Sequence, residues 1–411
     1  MVKKIRGGHV SGSLQNEGLS AGGVVTMKTI KSPNRASLLR HLNTCEVLAT
    51  LQRYGPLSRA DIARQTGISG PTVTRTIIDL LEARLVEEGE PLRVQLGRPG
   101  KVIRLASAKV AVVGVVVDVD YCEVVAAGLD GSVLKDNTIF PTPKKYEDLV
   151  QMISAKVKEV KPKHHTKFLG LGVTVPGLID KRDNRILVSP NLHQLDGQKL
   201  ADDLKDETGL DCALTRAMDG LCLAEGVYGG ARGIKDFVVV DLEYGLGLGV
   251  VHKGVQLQGY SGLAGEIGHI TVDINGKTCG CGNKGCLETE ATDAALAAAV
   301  SQRVGRRLSI DEINSMIATG ELNAHQEILR VTEYLGLGIA AIINLFNPEK
   351  VFISGKLFNS SQDIFDQVVE KARKRALASA FQSCNVLRTT VNKRQGAVAS
   401  IIRQLTTDRE N

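Results

Sequence analysis

The stretch Gly265-Glu266-Ile267-Gly268-His269, followed by Cys279-Gly280-Cys281-Gly282-Asn283-Lys284-Gly285-Cys286-Leu287-Glu288, is chemically the most specific part of this 411-residue chain. One imidazole and three thiolates (His269, Cys279, Cys281, Cys286) supply the four ligands of a closed, tetrahedral zinc site. Gly280, Gly282 and Gly285 allow the backbone to fold tightly around an ion. A closed shell leaves no position for an activated water, so the zinc reads as structural; free thiols in a loop are the plain alternative. Such a knuckle brings together Glu266, three residues before His269, and Glu288, two after Cys286. At a crevice the two carboxylates either accept hydrogen bonds from the hydroxyls of a carbohydrate or stand as solvated surface groups.

Outward from the knuckle the texture is α/β. Lys109 to Asp120 reads as a buried strand, and Phe168 to Val175 as another ending at Pro176-Gly177. Phe237 to Asp241 and Val250-Val251 flank the glycine-rich turn Gly245-Leu246-Gly247-Leu248-Gly249. Thr332 to Phe346 reads as a helix, with the strand Val351 to Ser354 after it. Alternation of this kind predicts an α/β body with ligand crevices at strand ends.

The N-terminal quarter follows another pattern. Leu38, Leu42, Cys45, Leu48 and Leu51 recur at three and four, which predicts a helix from Ala36 to Tyr54 with one buried stripe, stopped by Gly55-Pro56. Ser58, with Asp61 three residues on, reads as the N-cap of a second short helix ending at Gly67. Ser69 reads as the cap of a third, with Pro71 in its first turn. Val73, Ile77, Leu80 and Leu81 would bury one face of that helix. Ser69, Gly70, Pro71, Thr72, Thr74 and Arg75 would then stand outward near its start. Small polar groups and an arginine at a helix N-terminus suit the major groove and its phosphates. Leu85-Val86 and Val102 to Leu105 predict a hairpin whose tip presents Arg98 and Lys101 to the DNA backbone or minor groove. The alternative to this winged helix-turn-helix is a three-helix protein-interaction module.

Charge follows the same division. The net charge is +6, but residues 1–107 hold 16 Lys+Arg against 8 Asp+Glu, and the remainder 35 against 37. A basic head on a near-neutral body is expected where only the head meets phosphate; a solvated basic face is the alternative. Eight cysteines are too sparse for a disulfide scaffold. The Gly- and Ser-rich start lacks the apolar core of a signal peptide, and no apolar run approaches a membrane span, so a cytoplasmic protein without a membrane partner is expected.

The segments Ser58 to Thr76, Gly265 to His269 and Cys279 to Thr289 resemble the ROK family (repressors, open reading frames and sugar kinases). Gly172-Val173-Thr174-Val175-Pro176-Gly177-Leu178-Ile179-Asp180 and Ser189-Pro190-Asn191-Leu192 are similar to it as well. The resemblance runs from about Asn34 to about Val398, and the head resembles that of the xylose-, N-acetylglucosamine- and glucose-responsive bacterial repressors. It implies an actin-like (ribonuclease H-like), duplicated ATPase-type body of two lobes with the zinc knuckle on it. It further implies an effector site including Asn191, Glu266, His269 and Glu288.

Two departures from the family's kinases stand out. The phosphate-wrapping Asp-x-Gly-Gly-Thr turn is here Asp118-Val119-Asp120-Tyr121-Cys122, without glycine. The Asn-Asp pair that carries the general base falls on Arg216-Ala217, and alanine cannot accept a proton. Asp219 would need a local gap to take that role, and Glu243-Tyr244 precede the second phosphate turn.

The resulting expectation is a disordered tail over 1–30, a winged helix-turn-helix over 31–107, and an effector and dimerisation body over 108–411. It is a repressor of carbohydrate-metabolism genes without catalytic residues, acting as a homodimer or dimer of dimers on a palindromic operator whose half-sites lie ~34 Å apart. A sugar or a sugar phosphate held by Arg216 would control it. The alternatives are a ROK sugar kinase with an appended head, and a repressor controlled by a regulatory protein.

Overall fold

The computed structural model describes residues 35–89 (side chains from 39), 101–107, 110–134, 137–160, 166–189 and 191–406. The expected tail, Arg98 and Pro190 lie outside them. The head consists of α1 (Arg35–Tyr54), β1 (Leu57–Ser58), α2 (Arg59–Thr66), α3 (Gly70–Glu82), β2 (Val86–Gly89) and β3 (Val102–Leu105). Its strands form one sheet in the order β1-β3-β2, with Val86 opposite Leu105 and Gly89 opposite Val102 in the antiparallel β2–β3 pair. The α1 stripe is buried at Cys45, Leu48 and Leu51, but Leu42 is 42% exposed. The helix runs past the head's own core at that end, so three-and-four spacing overstates the stripe. Ser58 caps α2 as expected, accepting from the Asp61 N–H at 3.1 Å.

The body holds two sheets of identical plan. In lobe 1, β4 (Val110–Val117), β5 (Tyr121–Ala127) and β6 (Thr138–Pro141) form an antiparallel meander. After α4 (Tyr146–Glu159), β7 (Lys167–Val175) lies parallel to β4. The hairpin β8 (Leu178–Asp180) and β9 (Arg185–Val188), then α5 (Leu200–Thr208), lead to β10 (Cys212–Arg216), which lies parallel to β7. The chain leaves through α6 (Ala217–Val227).

Lobe 2 repeats the plan. β11 (Phe237–Asp241), β12 (Gly247–His252) and β13 (Val255–Gln256) form the meander. Next come α7 (Asp293–Val304), α8 (Ile310–Ala318) and α9 (His325–Phe346), before β14 (Lys350–Ser354) pairs parallel to β11. α10 (Gln362–Arg375) and α11 (Ala378–Gln382) precede β15 (Asn385–Arg388), parallel to β14, and α12 (Lys393–Thr406) closes the fold. The duplication expected of an actin-like body is thus present strand for strand. By length and composition α9 is apolar enough to cross a membrane. Here its Ile328, Val331, Leu335, Ile339, Ile342 and Ile343 lie in the lobe 2 core.

Each lobe's last helix crosses to the other. α12 lies against β4 and β7 of lobe 1, and α6 against β11 and β12 of lobe 2, with the two helices packed on each other. The crossing needs residues without side chains. A Cβ on Gly172 of β7 would lie 1.9 Å from the Ala397 carbonyl oxygen, and one on Gly396 would lie 2.7 Å from the Gly220 carbonyl carbon. α12 also carries the head: Val398, Ile401 and Ile402 share one core with Val47, Leu48 and Leu51 of α1 and with Val73 and Ile77 of α3.

Gly172→Ala therefore forces α12 off the sheet, since a backbone oxygen cannot rotate away as a side chain does. Overpacking of this kind costs about 1–3 kcal/mol or more. Thermal melting should show a drop of several degrees. Unchanged melting would mean that this contact does not constrain the fold.

Candidate functional site

The start of α3 is the outward face of the head. Gly70, Pro71, Thr74 and Arg75 are exposed and Thr72 is half-buried, whereas Val73, Thr76, Ile77 and Leu80 are buried and Leu81 only partly. A side chain at Gly70 would meet no atom within 4 Å, so the helix end is open to a close partner. Arg75 forms no ion pair among the described residues. Ser69 stands at the cap position, but its hydroxyl bonds the Thr72 hydroxyl (2.8 Å) rather than a backbone N–H. The Thr74 hydroxyl donates back to the Gly70 carbonyl (3.0 Å). The helix's first N–H groups are therefore left without a side-chain cap, as suits a helix end that receives an anion. Lys101 is not free at the base of the wing: Glu88 holds it at 2.6 Å and Arg59 at 2.9 Å. These two cations draw the Glu88 carboxyl below its ordinary range.

In lobe 2 the ligand atoms of His269, Cys279, Cys281 and Cys286 all lie within 4.8 Å of one another. Cys281 Sγ is 3.7 Å from Cys286 Sγ, and Cys279 Sγ is 3.7 Å from His269 Nδ1. A tetrahedral ion with bonds of 2.0–2.3 Å requires ligand separations of about 3.5–3.8 Å, so the donor set fits one. The loop is built for this closeness. Cys279 N–H donates to Asn283 O (2.8 Å), and Gly285, at φ 67°, passes so near Asp273 that a Cβ would lie 1.5 Å from its carbonyl oxygen. The cluster can hold a metal ion. Glu266 faces the other imidazole nitrogen, 3.8 Å from His269 Nε2, while Glu288 Oε1 lies 3.5 Å from Nδ1 and 2.8 Å from Cys279 Sγ. Glu288 also reaches the glycine turn, where a Cβ on Gly245 would sit 3.1 Å from its Oε2. Glu266, His269 and Glu288 therefore converge beside the β11–β12 turn. Asn191 is exposed and, among the described residues, forms no hydrogen bond to that trio.

The positions matching the kinase machinery are filled by other groups. Arg216 grips Asp219 with two bonds (2.7 and 3.2 Å), and Gln256 donates to the same carboxylate at 2.8 Å. Asp219 is thus buried in the first turn of α6, with its carboxylate occupied by Arg216 and Gln256. In the turn after β4, Val119 N–H donates to Asp118 Oδ1 (2.7 Å) and Asp118 N–H to Tyr121 O (2.9 Å), which uses backbone donors a phosphate would need. Across the cleft Tyr244 donates to Asp120, joining the β4–β5 turn to the β11–β12 turn.

Beside these turns a cavity of about 1090 Å³ opens between them and α7–α8, lined among others by Tyr121, Tyr244, Ser301, Arg306 and Lys356. Sequence reasoning missed this cavity's α7–α8 wall. It also missed Lys393, whose ammonium lies among three carboxylates, Asp118 and Glu243 of the two turns and Asp241 at the end of β11. No local pattern marks a lysine in the first turn of the last helix.

The comparisons with known proteins agree with this anatomy. The ROK family model matches residues 112–402, and the MarR family model residues 41–92. The chain is 26% identical over 366 residues to a xylose repressor of Bacillus subtilis, covering 88% of this chain and 94% of that one. It is 28% identical over 384 residues to the DNA-binding transcriptional dual regulator NagC of Escherichia coli, covering 90% and 94%. A crystal structure of a ROK family transcriptional regulator, described as a homolog of the E. coli MLC protein, superposes with a TM-score of 0.74 at 26% identity, over 90% of this chain and 96% of that one. Since the ROK match alone spans well over half of the chain, the protein belongs to the ROK family, with a MarR-type winged helix-turn-helix ahead of its sugar-kinase-like body.

Proposed function

We propose that this protein is a DNA-binding transcriptional repressor of carbohydrate-metabolism genes, controlled by a sugar-type effector bound in a body without kinase activity. The exposed start of α3, where Gly70, Thr72, Thr74 and Arg75 stand clear of the core on a helix fixed by Val73 and Ile77, carries the reading. Arg75 reaches a guanine edge or a phosphate, and the uncapped N–H groups at the helix start favour a phosphate. The protein acts in the cytoplasm as a dimer, whose two heads read a palindrome at a spacing set by the bodies. An effector that binds one spacing better than the other shifts the dimer toward it and releases the operator. Glu266 and Glu288 supply acceptors for sugar hydroxyls, the His269 Nε2–H a donor, and zinc in the His269–Cys279–Cys281–Cys286 cluster holds that edge rigid.

Phosphoryl transfer is not part of this function. Ala217 offers no base, Asp219 is tied to Arg216, and Asp120 and Glu243 bring negative charge to turns that would have to hold phosphates. A repressor controlled by a regulatory protein is the other reading, and a sugar's failure to release DNA would favour it.

Arg75→Ala should weaken operator binding by roughly 10- to 100-fold at matched salt, the equivalent of ~1–3 kcal/mol for a base contact. Circular dichroism should stay unchanged. Unaltered affinity would remove α3 as the reader.

Wild-type protein from zinc-replete cells should contain one zinc per chain by elemental analysis. Cys281→Ser should lose it and melt at a lower temperature, because structural metal contributes folding free energy directly. A zinc-free wild type excludes the site.

Glu266→Ala should bind the operator as wild type does but no longer release it when sugar is added. The wild-type protein should transfer no phosphate from ATP to common hexoses or amino sugars. Measurable ATP-dependent phosphorylation would overturn the non-catalytic reading.

A further inference from the structure

Where the two lobes face each other, the turn after β4, the end of β11 and the turn after it bring three carboxylates together. Asp118 comes from lobe 1, and Asp241 and Glu243 from lobe 2. Among them sits Lys393, from the first turn of α12, with Nζ 2.7 Å from Asp118 Oδ2, 2.6 Å from Glu243 Oε2 and 3.3 Å from Asp241 Oδ2. The lysine side chain is 11% exposed and Asp118's 6%. Three anions around one cation leave the centre short of positive charge. Burial, together with Glu243 and Asp118, pushes the Asp241 carboxyl up to about 6 although Lys393 pulls it down. Asp241 Oδ1 is buried without a hydrogen-bond partner among the described residues. Oxygen donors from two lobes, one of them unpartnered, converging on a single cation describe a coordination site rather than a surface ion pair.

We propose that Asp118, Asp241 and Glu243 form a cation site shared by the two lobes, and that Lys393 is its resident cation, a tethered ammonium in place of a divalent ion. The inference goes beyond the repressor reading and holds whether or not the protein binds a sugar. The ammonium draws the two turns together without a metal or a phosphate, and Glu243 of the same cluster lines the cavity with Asp120, Tyr121 and Tyr244. The cation also anchors α12, which five residues later, at Val398, enters the core shared with the head.

The test is titration of the full-length, zinc-loaded protein with Mn²⁺, followed by the loss of the free-ion electron paramagnetic resonance signal. Manganese is a hard ion that selects carboxylate oxygens and leaves the thiolate cluster to zinc. Wild type should bind no Mn²⁺ that depends on Asp118. Lys393→Ala should bind about one per chain, and adding Asp118→Asn should abolish that binding. A folded Lys393→Ala protein that takes up no Mn²⁺, or a wild type whose Mn²⁺ binding is lost with Asp118→Asn, overturns the proposal.

Melting temperatures test the same point if the alanine variant does not fold. Lys393→Met should lower Tm by about 10 °C, as expected for leaving buried charges uncompensated. Asp118→Asn in that background should recover at least half of the loss, because it removes one of three mutually repelling carboxylates. If Asp118→Asn recovers nothing, Lys393 contributes packing and not charge, and the proposal fails.

Discussion

The close approach of α12 to the strands of lobe 1 is the constraint from which the rest of the structure follows. Gly172 removes the atom that would hold helix and sheet apart, so the Ala397 carbonyl lies against the backbone of β7, and Gly396 does the same between α12 and Gly220 of α6. A helix from the end of the chain thereby becomes part of the first lobe. Its partner α6 makes the reciprocal crossing, so neither lobe is complete without a helix supplied by the other's stretch of sequence. Relative motion of the lobes must pass through this crossing, where bare backbones meet and close packing leaves little room for gradual deformation.

The same helix explains why the head is not an independent bead on a linker. Val398, Ile401 and Ile402 contribute to one apolar cluster with Val47, Leu48 and Leu51, and Arg232 near the end of α6 donates to the Arg53 carbonyl at 3.4 Å. An effector that changes the angle between the lobes therefore moves the surface on which α1 rests. Discrete repacking at such a surface would carry a small change between the lobes to the head.

What was legible in the sequence depended on whether the signal was local. Cap, turn and glycine chemistry placed α2, the start of α3 and the hairpin strands, because each is decided within a few residues. The His269–Cys286 cluster was legible for the same reason, since its ligands lie within one loop. Duplicated strand order could be expected only through resemblance, because nothing in the apolar runs at Val110 or Phe237 states which strand pairs with which. Leu42 illustrates a limit of periodicity: helical spacing shows which residues share a face, not how far the neighbouring core extends along it. Lys393 illustrates a deeper one. Its three partners lie 150 to 275 positions away, and a lysine at the start of a helix otherwise reads as a solvated charge.

The replacements in the body then form a consistent set. A kinase cleft must admit phosphates, so its facing turns carry glycines and backbone donors, and its closure is driven by the ligand. In this chain Val119 N–H is bonded to Asp118, Tyr244 bonds Asp120 across the gap, and an ammonium sits among the carboxylates. Interactions that a nucleotide would supply transiently are supplied permanently by side chains. On this side of the fold the lobes are held by the chain's own side chains. At the other edge Glu266, His269 and Glu288 stay partly open to solvent.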